Sequence, residues 1–293
     1  MTADNALAGC PPLISDVGAI FSATSDGSDR RCERSEIERL TPSVLRVHWR
    51  HFLMVAIVAG SLALMLSQRP FGQDPAYHDF ADRRTFFGIP NFFDVTSNLA
   101  FLLVGIAGLR TCLRSGLDGS RNAWVALFAG VTLVSAGSAY YHWDPSNQTL
   151  LWDRLPITIG FMGLFAALLG EYIDERLGML LLVPALILGV ASVVYWHWFD
   201  DLRFYVWVQV IPLLTIPVVM VLYRARYSHR WLLLAALGWY ALAKISEAND
   251  GQILALSQGV ISGHTLKHLL SALACFAVLL MLQRRKLLAT KGT

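Results

Sequence analysis

The sequence predicts an all-α, polytopic membrane protein, and three observations lead to that class. Hydrophobic residues make up 55% of the 293 and charged residues only 15%, against about 25% charged in a soluble domain. The apolar residues gather in blocks of about 15–22, the length that crosses a hydrocarbon core of about 30 Å. Several blocks contain proline (Pro184, Pro212, Pro217), which membrane helices tolerate better than soluble ones.

Eight blocks are read in order: Phe52–Leu66, Val95–Cys112, Ala123–Tyr141, Leu155–Leu169, Leu177–Val194, Tyr205–Leu222, Trp231–Ala243 and Leu266–Leu282. The first and seventh are short. In front of them, residues 1–46 contain "SATSDGSDRRCERSEIERL", polar and without a sustained apolar face, and read as a disordered cytoplasmic tail. No charged segment leads directly into an apolar core with a cleavage site, so the start is not a secretory signal. A translation start at Met54 is the alternative. The expected organisation is an extra N-terminal transmembrane helix at 47–68, an outer loop at 69–94, a seven-helix domain at 95–284 and a basic tail at 285–293.

Lys and Arg set the orientation. Arg110, Arg114 and Arg121, then Arg224, Arg226 and Arg230, then Arg284, Arg285, Lys286 and Lys291 fall on the same side as the basic N-terminal tail. The opposite loops hold only Arg69, Arg83, Arg84 and Arg203. Both termini are therefore expected in the cytoplasm. The formal charge of +3 reflects this topology, and no nucleic-acid partner is expected. Cys10, Cys32, Cys112 and Cys275 form no CxxC pair, so neither disulfides nor thiolate metal sites are expected.

Polar residues inside the blocks carry the functional reading, because ionisable groups in a membrane are costly. In "SAYYHWDPSNQTLLWDRLP", Ser138 and His142 stand four apart on one helical face, and Asp153 opens the next helix. In "SGHTLKHLL", His264 and His268 are also four apart, at the start of the eighth block. All five belong to one membrane face, opposite the termini. Three His from two helices are a common zinc set, leaving a fourth position open as in a catalytic centre. A nearby carboxylate can take a proton from water, and a serine hydroxyl can donate to an oxyanion. A lone His at a helix end is more often an interfacial anchor, which is the reading for His48, His51, His78, His197 and His229.

Lys244, Glu247 and Asp250 in "AKISEANDG" precede the His pair, and Lys267 lies between the two His. Glu247 or Asp250 can fix a ligand His through its second ring nitrogen. Charge pairing with the lysines, which lowers the cost of burial, is the preferred reading.

Together these motifs resemble the alkaline ceramidases, of bacterial type, in the CREST superfamily of seven-helix membrane hydrolases. The pattern is S-x3-H, an Asp eleven residues after that His, and a late H-x3-H. Ser138, His142, Asp153, His264 and His268 keep every spacing, and "NFFDVTSNLAFLLVGIAGL", with Ser97 and Asn98, is similar to the family's first core helix. The resemblance spans about Tyr77 to Leu282. It implies zinc on the three His, with Ser138 and Asp153 assisting hydrolysis of the ceramide amide to a sphingoid base and a fatty acid. It also suggests a calcium site in "YHDFADRRTFFGIPNFFD", at Asp79, Asp82 and Asn91 with the Phe80 carbonyl. Calcium wants six to eight oxygens, and Arg84 stands where an oxygen is needed. Pairing of Asp79 and Asp82 with Arg83 and Arg84 is the alternative. Two other functions remain open on the residues: a lipid-sensing receptor or transporter, and a haem protein using His142 with His264 or His268.

Overall fold

The computed structural model describes residues 49–288 apart from 115, 116 and 118. The expected N-terminal tail, with Cys10, Cys32 and His48, and the last five residues of the basic tail lie outside the described residues. The chain divides into two compact units, Met1–Ile57 and Val58–Thr293. Of the first, only the helical stretch 49–57 is described.

Every expected block is a helix: α1 (Trp49–Ser67), α2 (Phe92–Ser97) running into α3 (Leu99–Arg114), α4 (Arg121–Trp143), α5 (Asn147–Tyr172), α6 (Glu175–Phe199), α7 (Arg203–Leu222), α8 (Trp231–Ala248) and α10 (Gly263–Arg284). The short α9 (Asp250–Leu256) falls between the last two. No strand occurs among the described residues. Seven of these helices, with α2 and α3 counted as one, are long and apolar enough to cross a membrane. The eighth, α8, has 18 residues and carries Lys244 and Glu247 near its end.

Polar sequence marks the helix ends at the site-bearing face. Helix α5 begins two turns before its apolar block because Ser146 and Thr149 form a reciprocal capping box, at 3.2 and 3.0 Å, satisfying amides that the first turn leaves open. At α10, Ser262 Oγ accepts from Thr265 N at 3.0 Å.

Phe101, Trp124, Phe128, Leu168, Ile216 and Leu279 belong to the central core cluster. The α4–α5 pair approaches backbone to backbone, as small residues allow in membrane helices. A Cβ on Gly130 would lie 2.5 Å from Gly160 N, and one on Gly163 would lie 2.5 Å from Leu127 N. At the site-bearing end a Cβ on Gly137 would collide with the Trp152 carbonyl. Gly137 and Trp152 are the chain neighbours of Ser138 and Asp153, so this contact sets the approach of those two residues.

The segment after α1 crosses the same end of the bundle. Leu202 N donates to Phe71 O at 3.0 Å, Ala81 N to Asp250 Oδ2 at 2.9 Å, and His78 meets Tyr141 Oη at 2.9 Å. The expected outer loop is thus a strap tied to α4, to the α6–α7 turn and to α9.

Candidate metal centre

His142 comes from the last turn of α4, and His264 and His268 from the first two turns of α10. Their ring centroids form a nearly equilateral triangle, with sides of 4.8, 4.9 and 5.0 Å. One nitrogen from each ring lies within 4.8 Å of the other two. The three are 1%, 4% and 3% exposed. Among the described residues this is the only group of three or more His, Cys, Asp or Glu with metal-holding geometry.

The donors fit a divalent ion of borderline softness such as zinc. His142 Nδ1 is buried without a hydrogen-bond partner, an arrangement a native core rarely leaves unless a ligand completes it. Ser97 Oγ lies 2.8 Å from His268 Nδ1. Two of these rings, with centroids 4.8–5.0 Å apart, stand too close for a haem plane to be held between them.

The backbone around the triangle is fixed by polar groups. Asp250 Oδ1 accepts from His264 N at 2.7 Å, while its other oxygen holds the strap at Ala81. Asn91 Nδ2 donates to His142 O at 2.8 Å. Asp94 is fully buried and accepts from Thr265 Oγ1 at 2.6 Å. The Phe80 ring closes one side, 4.6 Å from His142 and 4.7 Å from His264.

Glu247 pairs with Lys267 at 2.6 Å and with Lys244, the preferred expectation. Neither Glu247 nor Asp250 holds a His ring. Asp250 holds the His264 backbone instead, and the ring partner of His268 is Ser97. Lys267 Nζ stands 3.3 Å from His264 Nε2. His78, expected as an anchor, bonds Tyr141 and also Asn147 Oδ1 at 3.0 Å.

The three residues read for calcium have other partners. Asp79 is an exposed ion pair with Arg83 at 2.8 Å. Asp82 is buried and gripped by Arg84 through both oxygens, at 2.8 and 2.6 Å. That guanidinium holds the Asp82 carboxyl below the usual carboxylate range. Asn91 turns its amide to His142. The residues present do not fit calcium.

Ser138, Asp153 and His268 line one end of a cavity of ≈ 540 Å³, and the Ser138 hydroxyl faces the Asp153 carboxyl. Further in, the walls are apolar, including Leu127, Val131, Leu164, Ile216 and Val278. A large, mostly apolar cavity with a few convergent polar groups is the ordinary form of a small-molecule site. The structure therefore brings together all five motif residues: His142, His264 and His268 in mutual ring contact, and Ser138 and Asp153 lining the cavity with His268.

Two residues of this region were absent from the sequence reading, Asp94 and the cavity-lining Arg154, and Asn91 was read there only for calcium. Asp94 carried a usable signal, since a lone carboxylate at the start of an apolar block is costly without a task. No curated protein matches the chain. The family model described as Ceramidase matches residues 87–291, the stretch that holds the three His, Ser138 and Asp153, and the chain belongs to the Ceramidase family.

Proposed function

We propose that the protein is a zinc-dependent membrane amidohydrolase that cleaves the amide of ceramide or a related N-acyl lipid. The observation that carries this reading is the buried His142–His264–His268 triangle at the end of a lipid-sized cavity also lined by Ser138 and Asp153. Membership of the Ceramidase family supports the substrate class.

His142, His264 and His268 would hold the metal. Zinc in such a site supplies a Lewis acid that polarises a carbonyl oxygen and makes water more acidic. The apolar cavity walls take the acyl chain and hold the amide at the polar end. Asp153 takes a proton from the attacking water as its oxygen bonds to the amide carbon. Ser138 donates to the oxygen that gains charge. Asp153 then returns the proton to the departing nitrogen as the carbon–nitrogen bond breaks, releasing a fatty acid and an amine. The site is read as facing away from the cytoplasm, on the charge bias of the loops.

The test is incubation of purified protein with a panel of N-acyl lipids, with and without a chelator. Release of fatty acid and amine is expected, stopped by chelation and restored by zinc. Binding without turnover across the panel would point to a lipid-sensing receptor.

A further inference from the structure

Arg154 lines the cavity but has no part in the proposed reaction and, among the described residues, no ion-pair partner. It follows Asp153 on α5, is 5% exposed and reaches the cavity wall. Its guanidinium lies over two rings, 3.9 Å from the Trp196 centroid and 4.7 Å from that of Tyr205. Nη2 donates to Gln73 Oε1, while Nη1 is buried without a partner. Among the described residues no carboxylate reaches ion-pair distance of Arg154. The nearby acids are engaged elsewhere: Asp200 accepts from Gln73 N at 2.9 Å, Asp201 pairs with Arg203 at 2.7 Å, and Glu247 serves both Lys244 and Lys267. Asp153, the chain neighbour, faces Ser138.

A buried cation is normally paired, and in a membrane an ionisable residue marks a pathway or ligand by default. Here the two rings and Gln73 hold the guanidinium plane in place, so its donors are arranged before anything binds. A planar fork of N–H donors matches a carboxylate. The charges lining the cavity lean the same way, with Arg154, Lys244 and Lys267 set against Asp153 and Glu247. Beyond this belt the walls are apolar, so the ligand that satisfies both halves has a long hydrocarbon chain and an anionic end.

We propose that Arg154, held by Gln73, Trp196 and Tyr205, is a carboxylate-binding point of the cavity and receives the anionic end of a lipid. The carboxylate has two possible sources, the fatty acid released by the proposed hydrolysis or the amine-side carboxylate of an N-acyl amino acid. Assigning the source rests on the amidohydrolase reading, whereas the binding does not.

The full-length protein in detergent is compared with Arg154→Gln and Arg154→Lys for binding of oleate against oleyl alcohol. Ratios within each variant cancel any loss of folded protein. The wild type should prefer oleate, and Arg154→Gln should lose about 10- to 100-fold of that preference, the scale of a charge-assisted pair. Arg154→Lys should lose part of it, because an ammonium keeps the charge without the fork. The second arm compares turnover of N-oleoylglycine with that of N-oleoylethanolamine. A fall in that ratio of similar size in Arg154→Gln assigns the carboxylate to the substrate. An unchanged ratio with weakened oleate binding assigns it to the product. No oleate preference in the wild type, or one that survives in both variants, overturns the proposal. Arg154-dependent oleate binding without turnover of any lipid would sink the amidohydrolase reading and leave this one standing.

Discussion

The Ser97 hydroxyl lies 2.8 Å from Nδ1 of His268 and donates its single proton to the Asp94 carbonyl at 3.0 Å. With that proton on the Asp94 carbonyl, Ser97 Oγ is placed to accept from the imidazole. This arrangement suits the His268 tautomer with its proton on Nδ1, which presents Nε2 as a lone pair. A partner on the far ring nitrogen orients a metal-binding His and fixes its tautomer. On the proposed zinc reading, Ser97 would position this ligand from a different membrane span.

Ser97→Ala is accordingly expected to weaken zinc binding by about 10–100-fold while the fold persists. Competition against a graded series of chelators on wild type and variant measures this. Equal zinc affinity in the two proteins would reduce Ser97 to a packing hydroxyl.

The three proposed ligands should behave more sharply. His142→Ala, His264→Ala and His268→Ala each remove one of three donors, and each should lose zinc and turnover together. Metal content by mass spectrometry and amide hydrolysis are read on the same preparation. Full zinc occupancy in His264→Ala would remove it from the ligand set.

Much of this was legible in the sequence, and the part that was not has a physical reason. Apolar block length gave every membrane helix, since a span must fill the hydrocarbon core. The two i, i+4 pairs gave the His triangle, because that spacing puts both side chains on one helical face. The start of α5 lies two turns before its apolar block because Asn147, Gln148, Thr149, Asp153 and Arg154 interrupt the apolar pattern, and the Ser146 cap is the signal for helix there. The contacts of Asn91 with His142 and of Asp250 with His264 and Ala81 join residues far apart in the chain or in different elements. No local pattern encodes them. The same holds for calcium: Asp79, Asp82 and Asn91 read as a ligand cluster in one dimension, and the strap then turns each to a separate partner.

Helix packing near the site yields a stability prediction. A Cβ on Gly137 meets the Trp152 carbonyl, a backbone atom that cannot swing aside, whereas a Cβ on Gly238 in α8 meets nothing within 4 Å. Gly137→Ala should destabilise by about 1–3 kcal/mol through overpacking and lower turnover by moving Ser138 from Asp153. Gly238→Ala should be neutral or slightly stabilising, as expected for Ala in place of Gly in a helix. Thermal unfolding of both variants in one detergent checks the contrast. Equal melting temperatures would mean that the α4–α5 crossing is looser than the structure has it.

The final prediction separates Asp153 and Ser138 from the ligands. Both line the cavity beside His268, yet neither belongs to the metal-holding group. Asp153→Asn and Ser138→Ala should therefore keep zinc and fold while losing rate. Loss of general-base assistance is worth about 10²–10⁴-fold, so Asp153→Asn should fall in that range. Removing one donor to a developing oxyanion costs about 10²–10³-fold in kcat, the range expected for Ser138→Ala. Both losses should appear in kcat more than in KM, because these contacts strengthen as charge develops in the transition state. Zinc content and turnover measured on the same preparations decide the matter. Zinc lost from Asp153→Asn would make the carboxylate a ligand or a support for one, and the base would then have to be sought elsewhere. Full activity in Ser138→Ala would leave the serine a packing hydroxyl between α4 and α5.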